Sequence, residues 1–297
     1  MLHNFKGIFA ALTTPFIGDE ISPEKFRENI QKYNSYGLAG YVILGSTGES
    51  VYLSDEESEK LVQTAKDAAS QGKKIIVGTA RESTKATLEF TNRMTDIGID
   101  AALIRTPSYF KSLMDREALK KHYITIADKS KVPVLIYNIP RNTGVSVDSK
   151  LLIELSGHRN IAGFKDSSGN LAFLGETILH IAPHFNFLLG AGSVFLPGLL
   201  LGACGGILAL AAAVPGECVK LYNLFLEKKL DEAHKLQLEL IPLNKAIIQT
   251  FGIPALKYAL DRLGYYGGPP RLPLLPLNEE GKREMEVILN KLGLLTQ

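Results

Sequence analysis

Cysteine is scarce in this chain: Cys204 and Cys218 are the only two among 297 residues. Two thiols cannot build a disulfide framework and have no metal-ligand spacing, so a reducing cytoplasmic setting is expected. An excess of one charge is also missing, because 33 Lys and Arg face 31 Asp and Glu. That balance leaves no basic stripe for a phosphate backbone, and nucleic acid is not expected as a partner. The histidines, His3, His122, His158, His180, His184 and His234, are scattered without zinc-type spacing, so no metal is expected. The longest apolar stretch, around Leu196 to Val214, is interrupted by Pro197, Gly198, Gly202, Gly205 and Gly206. It reads as buried core, and no membrane span is expected. The first residues, Met1 to Gly7, carry neither an apolar signal-peptide region nor transit-peptide composition, so no targeting segment is expected.

Cofactor fingerprints are lacking as well. Gly190-Ala191-Gly192-Ser193-Val194-Phe195 places Phe where a dinucleotide site needs its third glycine, and Gly45-Ser46-Thr47-Gly48-Glu49-Ser50 has no P-loop lysine. No Gly-x-Ser-x-Gly elbow supports a serine hydrolase. No cofactor is expected.

What is present is an alternation. Short apolar runs recur at Gly7 to Leu12, Gly40 to Leu44, Lys74 to Gly78, Ala101 to Arg105, Pro133 to Tyr137, Ile161 to Lys165, Asn186 to Leu189 and Gly205 to Ala209. Each is followed by an amphipathic stretch of helix length, the signature of parallel strands joined by crossover helices. Ser22-Pro23-Glu24 and Ser54-Asp55-Glu56-Glu57 are helix starts, and Gly37, Gly72 and Gly98 are read as helix stops. Further helices are predicted over Asp231 to Gln249, Pro254 to Leu263 and Asn278 to Leu292. Eight such units predict an α/β fold, a (β/α)8 TIM barrel with additional C-terminal helices; a doubly wound open sheet is the rival. Residues 1–297 are expected to form one domain, barrel over 1–225 and helical extension over 226–297.

Barrels place their chemistry at the C-terminal ends of strands. Lys165 ends Ile161-Ala162-Gly163-Phe164, and period-2 alternation sets it on the face of Ile161 and Gly163. Lysine is seldom buried without a purpose, and desolvation favours the neutral amine that imine formation requires. The plainer alternative is a solvated strand end. Tyr137 ends the preceding strand at the matching height, where a phenol beside an amine can move protons; a tyrosine simply packed in the core is the alternative. In Gly45-Ser46-Thr47-Gly48-Glu49, glycines let backbone N–H groups turn inward and Ser46 and Thr47 add hydroxyl donors, a nest for a carboxylate or an ordinary glycine turn.

Taken in order, these segments resemble the dihydrodipicolinate synthase/N-acetylneuraminate lyase superfamily over nearly the whole chain. Gly45 to Glu49 is similar to its Gly-x-x-Gly-Glu carboxylate loop, Tyr137-Asn138-Ile139-Pro140 to its Tyr-Asn-x-Pro motif, and Gly163-Phe164-Lys165-Asp166-Ser167 to its Schiff-base lysine segment. The resemblance implies a class I aldolase, with Lys165, Tyr137, Thr47 and Tyr109 catalytic and Ser46, Thr47, Asn142, Ser167 and Ile207 against substrate. It implies that Tyr109 reaches into a neighbouring subunit's site, hence a homo-oligomer, dimer or tetramer, and that the backbone carbonyl of Ile207 faces bound pyruvate. The partners implied are a small 2-oxo acid and an aldehyde. Synthase members carry arginine where this chain has Asn142, with Arg141 one residue earlier; this form, Lys165-Asp166-Ser167 and the tail from Phe251-Gly252-Ile253-Pro254 to Gly264-Tyr265-Tyr266-Gly267-Gly268-Pro269 are similar to 4-hydroxy-2-oxoglutarate aldolases, so an aldolase of that kind giving pyruvate and an aldehyde is expected. The alternatives are a 4-hydroxy-tetrahydrodipicolinate synthase condensing pyruvate with aspartate semialdehyde, a 2-keto-3-deoxy sugar acid aldolase, and a pyruvate-binding sensor without turnover.

Overall fold

The computed structural model describes residues 4–295; His3 and the start of the amino-terminal segment lie outside the described residues. The eight apolar runs are strands: β1 Gly7–Ala11, β2 Gly40–Ile43, β3 Lys74–Gly78, β4 Ala101–Arg105, β5 Val134–Asn138, β6 Ile161–Asp166, β7 Asn186–Leu189 and β8 Gly205–Leu208. They close into a barrel in chain order, β8 returning to β1, with helices between successive strands. The fold is the expected (β/α)8 barrel with C-terminal helices. β5 and β6 run one residue beyond the predicted ends, because Asn138 and Asp166 hydrogen-bond to each other past Tyr137 and Lys165.

The chain forms two compact units, residues 4–7 with Lys74–Ile207 and Ile8–Lys73 with residues 208–295. In the first, β3 to β7 pair in parallel, and Gly205 and Gly206 of β8 lie opposite Leu188 and Leu189. The β5–β6 register shifts between Val134 and Leu135, so that Leu135 and Tyr137 stand opposite Gly163 and Lys165. Period-2 alternation therefore brings these four residues to one face. On the other, Phe164 and Phe187 stack beside Phe173 of the helix Leu171–Ile178, with ring centroids 5.3 to 6.3 Å apart. Burying a ring of this size contributes roughly 1.5–3 kcal/mol.

In the second unit, β1 pairs with β2, Phe9 opposite Gly40, and a small hairpin of Phe16–Ile17 and Glu20–Ile21 follows. The helix Pro23–Tyr33 begins at the predicted cap Ser22, and Asp55–Ala68 at a complete capping box of Ser54 and Glu57. Of the three glycines read as helix stops, only Gly98, in the first unit, is a cap, with φ of 92°. The helix before Gly37 already ends at Asn34, and that before Gly72 at Ala69. The C-terminal helices are Leu230–Lys245, Ile253–Arg262 and Glu279–Lys291. The predicted continuation to Gln249 is instead a π-helical turn, Ala246–Thr250, closed by the Phe251 N–H on the Ala246 carbonyl at 2.9 Å. It follows Pro242, which sits inside the preceding helix and has no N–H to give. No described helix is long and apolar enough to cross a membrane.

Gly163 is a tight point of this scaffold: a Cβ there would lie 2.4 Å from the Asn186 carbonyl oxygen and 3.1 Å from Leu135 Cδ2. Gly163→Ala is expected to destabilise the fold by about 1–3 kcal/mol through overpacking. Urea unfolding of the variant checks this, and an unchanged midpoint would show that the two strands separate at no cost.

Candidate active site

Two adjacent strand ends form the chemical centre of the first unit. Tyr137 closes the inward-packed run of β5 and Lys165 that of β6, and the two are register partners. Both are buried, Lys165 at 4% and Tyr137 at 5% exposure. The Lys165 Nζ lies 4.1 Å from the centroid of the Tyr137 ring. Among the described residues Lys165 has no ion-pair partner; the phenol ring is its polar neighbour. A buried amine facing an aromatic π-face, with no carboxylate to hold its charge, is arranged for nucleophilic use more than for structural pairing.

Space for that side chain is made by Gly190, just past β7. A Cβ at Gly190 would stand 3.1 Å from Lys165 Cε, 3.0 Å from the Asp166 carbonyl oxygen and 2.0 Å from Ser167 Oγ. Its N–H donates to the Asp166 carbonyl at 2.6 Å. Sequence reading examined this glycine only as part of a failed dinucleotide fingerprint and missed its role. The usable signal was its place at a strand end beside the lysine segment.

A second missed group holds the two strand ends together. Asn138 Nδ2 donates to Asp166 Oδ1 at 2.8 Å, while Asn138 Oδ1 accepts the Val147 N–H at 3.1 Å. The Asp166 carboxylate also accepts the Ser168 N–H at 3.2 Å and the Ser168 hydroxyl at 2.7 Å. Ser167 donates its N–H to the Asn138 carbonyl at 2.9 Å. Asn138 and Asp166 are both buried, and three donors on one carboxylate supply what its lost hydration would have. Because each flanks a candidate catalytic residue, this network sets the spacing of Tyr137 and Lys165. The Tyr-Asn and Lys-Asp-Ser motifs contained it, but pairing across strands is not visible in a linear pattern.

The other candidates of this unit occupy different ground. Asn142 is exposed in the short helical turn Pro140–Thr143, its N–H given to the Ile139 carbonyl at 3.0 Å. Ile207 is fully buried in β8. Tyr109 is 79% exposed and meets Phe110 edge-on at 5.0 Å. Its backbone is strapped down by Glu82, which accepts the N–H groups of Ser108 at 2.8 Å and Tyr109 at 2.9 Å and pairs with Arg105 at 2.9 Å. Burial works against the charged Glu82 carboxylate, but those N–H groups and the Arg105 guanidinium outweigh it and bring its pKa down to about 2. Nothing in the local sequence marks Glu82 as an anchor for a loop 26 residues on.

In the second unit the loop after β2 holds two 3-10 turns, Ser46–Gly48 and Ser50–Tyr52, the first lying between two left-handed residues, Leu44 at φ 57° and Glu49 at φ 55°. The turn uses the N–H groups of Gly48 and Glu49, given to Gly45 and Ser46 carbonyls. Thr14 Oγ1 donates to the Gly48 carbonyl at 2.6 Å, and a Cβ at Gly48 would come within 3.2 Å of the Leu12 carbonyl oxygen. The half-buried Ser46 and Thr47 hydroxyls have no hydrogen-bond partner among the described residues. Two unspent hydroxyls on a pinned turn are suited to an anionic group. The described residues contain no grouping of three or more His, Cys, Asp or Glu able to hold a metal ion.

Residues 4–292 match the dihydrodipicolinate synthetase family. A 4-hydroxy-tetrahydrodipicolinate synthase of Methanothrix thermoacetophila is 34% identical, the alignment covering 98% of each chain. One of Methanocaldococcus jannaschii is 35% identical over 98% of this chain and 100% of its own. Among solved structures, dihydrodipicolinate synthase from Aquifex aeolicus superposes with a TM-score of 0.93 at 31% identity, over 99% of this chain and 100% of its own. These relatives overturn the expected 4-hydroxy-2-oxoglutarate aldolase: along the full length the chain is similar to synthases. The expectation drew on Asn142, on the Lys165-Asp166-Ser167 run and on the tail from Phe251 to Pro269. The turn that carries Asn142 is exposed and still holds a guanidinium one residue earlier, at Arg141, so the exchange does not strip the turn of positive charge. Motifs, barrel and full-length relatives agree that this chain belongs to the dihydrodipicolinate synthetase family.

Proposed function

We propose that the protein is a 4-hydroxy-tetrahydrodipicolinate synthase that condenses pyruvate with aspartate semialdehyde through an imine on Lys165. The observation that carries the reading is the buried Lys165 amine, without a counter-charge and 4.1 Å from the Tyr137 ring centroid. It is an enzyme of the carbon–carbon lyase class, acting as a class I aldolase does. The Lys165 amine adds to the C2 ketone of pyruvate, and loss of water leaves an iminium that acts as an electron sink. Loss of a C3 proton gives the enamine, whose C3 attacks the aldehyde carbon and forms the new carbon–carbon bond. The amino group of the incoming partner then adds to C2 and displaces Lys165, which closes the ring and frees the enzyme.

The roles follow from the likeness of the motifs and the chemistry of each group. Tyr137 is the proton carrier beside the imine nitrogen, and Thr47 and Tyr109 complete a relay with it. Ser46 and Thr47 hold the pyruvate carboxylate with donors already oriented by the turn. Ser167 and Asn142 contact the distal part of the substrate, and the Ile207 carbonyl faces the pyruvate moiety. The exposed rings of Tyr109 and Phe110 favour a second copy of the chain covering them, in a cytoplasmic homo-oligomer of single-domain subunits. A sensor that only binds pyruvate has no use for a nucleophilic amine, so turnover is expected.

Borohydride reduction in the presence of pyruvate is expected to add one pyruvate-derived mass to the protein, located on Lys165 by peptide mapping. Lys165→Ala is expected to keep its melting temperature within a few degrees and to trap nothing. An adduct that survives in Lys165→Ala refutes the nucleophile, whereas trapping without any product from aspartate semialdehyde refutes the substrate and leaves the imine standing. Tyr137→Phe is expected to lower kcat by about 10²–10⁴-fold with little change in either KM, the range for a lost general acid–base group. Steady-state kinetics decide this, and a kcat within threefold of the parent would remove Tyr137 from the proton path.

A further inference from the structure

Glu49 follows the Ser46–Gly48 turn and points its carboxylate into the interior of its unit, where its side chain is 0% exposed. Lys257, on the C-terminal helix Ile253–Arg262, meets it there with its Nζ 2.7 Å from Glu49 Oε1 and its own side chain 1% exposed. The Nζ also donates to the Pro269 carbonyl at 2.7 Å, and the other carboxylate oxygen of Glu49 accepts the Arg271 N–H at 2.9 Å. Lys257 and Arg271 both lie over the Phe16 ring, each 4.5 Å from its centroid. The Arg271 guanidinium in turn grips Glu57, at the start of the next helix, at 2.7 and 2.8 Å, and the Tyr52 carbonyl at 2.9 Å. Thus Glu49, just past the turn, and the 52–57 segment beyond it are tied to one C-terminal stretch, residues 257–271.

Such a pair is not explained by stability. Removing two charges from water costs more than a single contact returns unless the geometry is excellent. Here the balance is visible: burial, above all, lowers the Lys257 pKa, while Glu49 only partly restores it. What the arrangement does secure is the backbone of a non-glycine residue held at φ 55°, two residues after Thr47.

We propose that Glu49 and Lys257 are positioning residues, through which the C-terminal helices hold the Ser46–Thr47 donors in the orientation that binds the pyruvate carboxylate. This rests on the assignment of those two hydroxyls to that carboxylate. A purely structural pair and a positioning pair differ in their kinetics. Loss of a structural pair lowers the amount of folded protein and leaves KM alone. Loss of a positioning pair raises the pyruvate KM of the folded enzyme.

The test uses the full-length Glu49→Gln/Lys257→Met variant, which removes both charges at similar volume, so that neither is left buried alone. In the folded variant, pyruvate KM is expected to rise about tenfold, the scale of one hydrogen bond to a charged group. The KM for aspartate semialdehyde and kcat are expected to stay within about threefold, and borohydride still to trap pyruvate on Lys165. Glu49→Gln alone keeps an acceptor for the Arg271 N–H and serves as the second variant if the double one does not fold; a smaller rise, about threefold, is expected there. Unchanged pyruvate KM in the folded double variant, or in Glu49→Gln where that alone folds, overturns the proposal. Ser46→Ala and Thr47→Ala separate the two failures. If they raise pyruvate KM and the pair variants do not, only the positioning role fails. If they too leave it unchanged, the carboxylate assignment fails and the proposal with it.

Discussion

An ammonium moved out of water costs several kcal/mol even after its surroundings relax, and a carboxylate nearby is the usual remedy. Lys165 is buried without that remedy, and the structure around it is shaped by the constraint. A carboxylate at hydrogen-bond distance would hold the amine protonated and spend its lone pair, so the charge is met instead by the face of Tyr137. The nearest acid in the chain, Asp166, belongs to the same strand but bonds sideways to Asn138 and Ser168. Period-2 alternation separates successive side chains, and it lets the strand present Lys165 on one face and the Asp166 clamp on the other. Gly190 supplies the remaining requirement, empty volume beside Lys165 Cε. The barrel thus provides, by geometry, a buried amine with no carboxylate paired to it among the described residues.

Much of this was legible in the linear pattern. The eight apolar runs, the capping box at Ser54 and the strand-end positions of Tyr137 and Lys165 depend on local periodicity and on residues a few positions apart. The missed residues have partners far away in sequence. Asn138 bonds a residue 28 positions on, Glu82 anchors Ser108 and Tyr109, and Glu49 pairs with Lys257. Gly190 was misjudged for a related reason: what a glycine spares depends on its neighbours in space, here Ser167 and Lys165. Gly37 erred the other way. Its helix stops three residues earlier, at Asn34, whose side chain accepts from Tyr41 and from the Ser70 N–H and so is engaged across the unit. A glycine after an amphipathic run is a frequent stop, yet a side chain with tertiary partners can end the helix first.

The substrate expectation failed for a different physical reason. Asn142 is exposed in its turn, and one side chain there has limited authority over what a whole barrel binds. The turn also keeps its positive charge, one residue earlier, at Arg141. Loops of this kind vary while the strand-end chemistry persists, so a departure in the loop says less about reaction class than Lys165 and Tyr137 do.

The two units carry their charges in contrasting ways, and the contrast bears on function. Glu82 and Arg105 meet near the surface, where backbone N–H groups reinforce the carboxylate and the segment they hold ends in an exposed aromatic pair, Tyr109 and Phe110. Glu49 and Lys257 meet where water is excluded, and the segment they hold carries two unspent hydroxyls. In both, an ion-paired acid ties down a short loop, Glu82 that of Ser108 and Tyr109 and Glu49 that of Ser46 and Thr47. Order in the backbone with freedom at the functional group lowers the entropy that binding must remove, since the loop has already been brought to its bound form. The buried pair constrains more severely, because any movement of the loop would separate charges in a medium that screens them poorly. A turn that must meet a small anion repeatedly in one geometry is therefore the place where the costlier, buried device is justified.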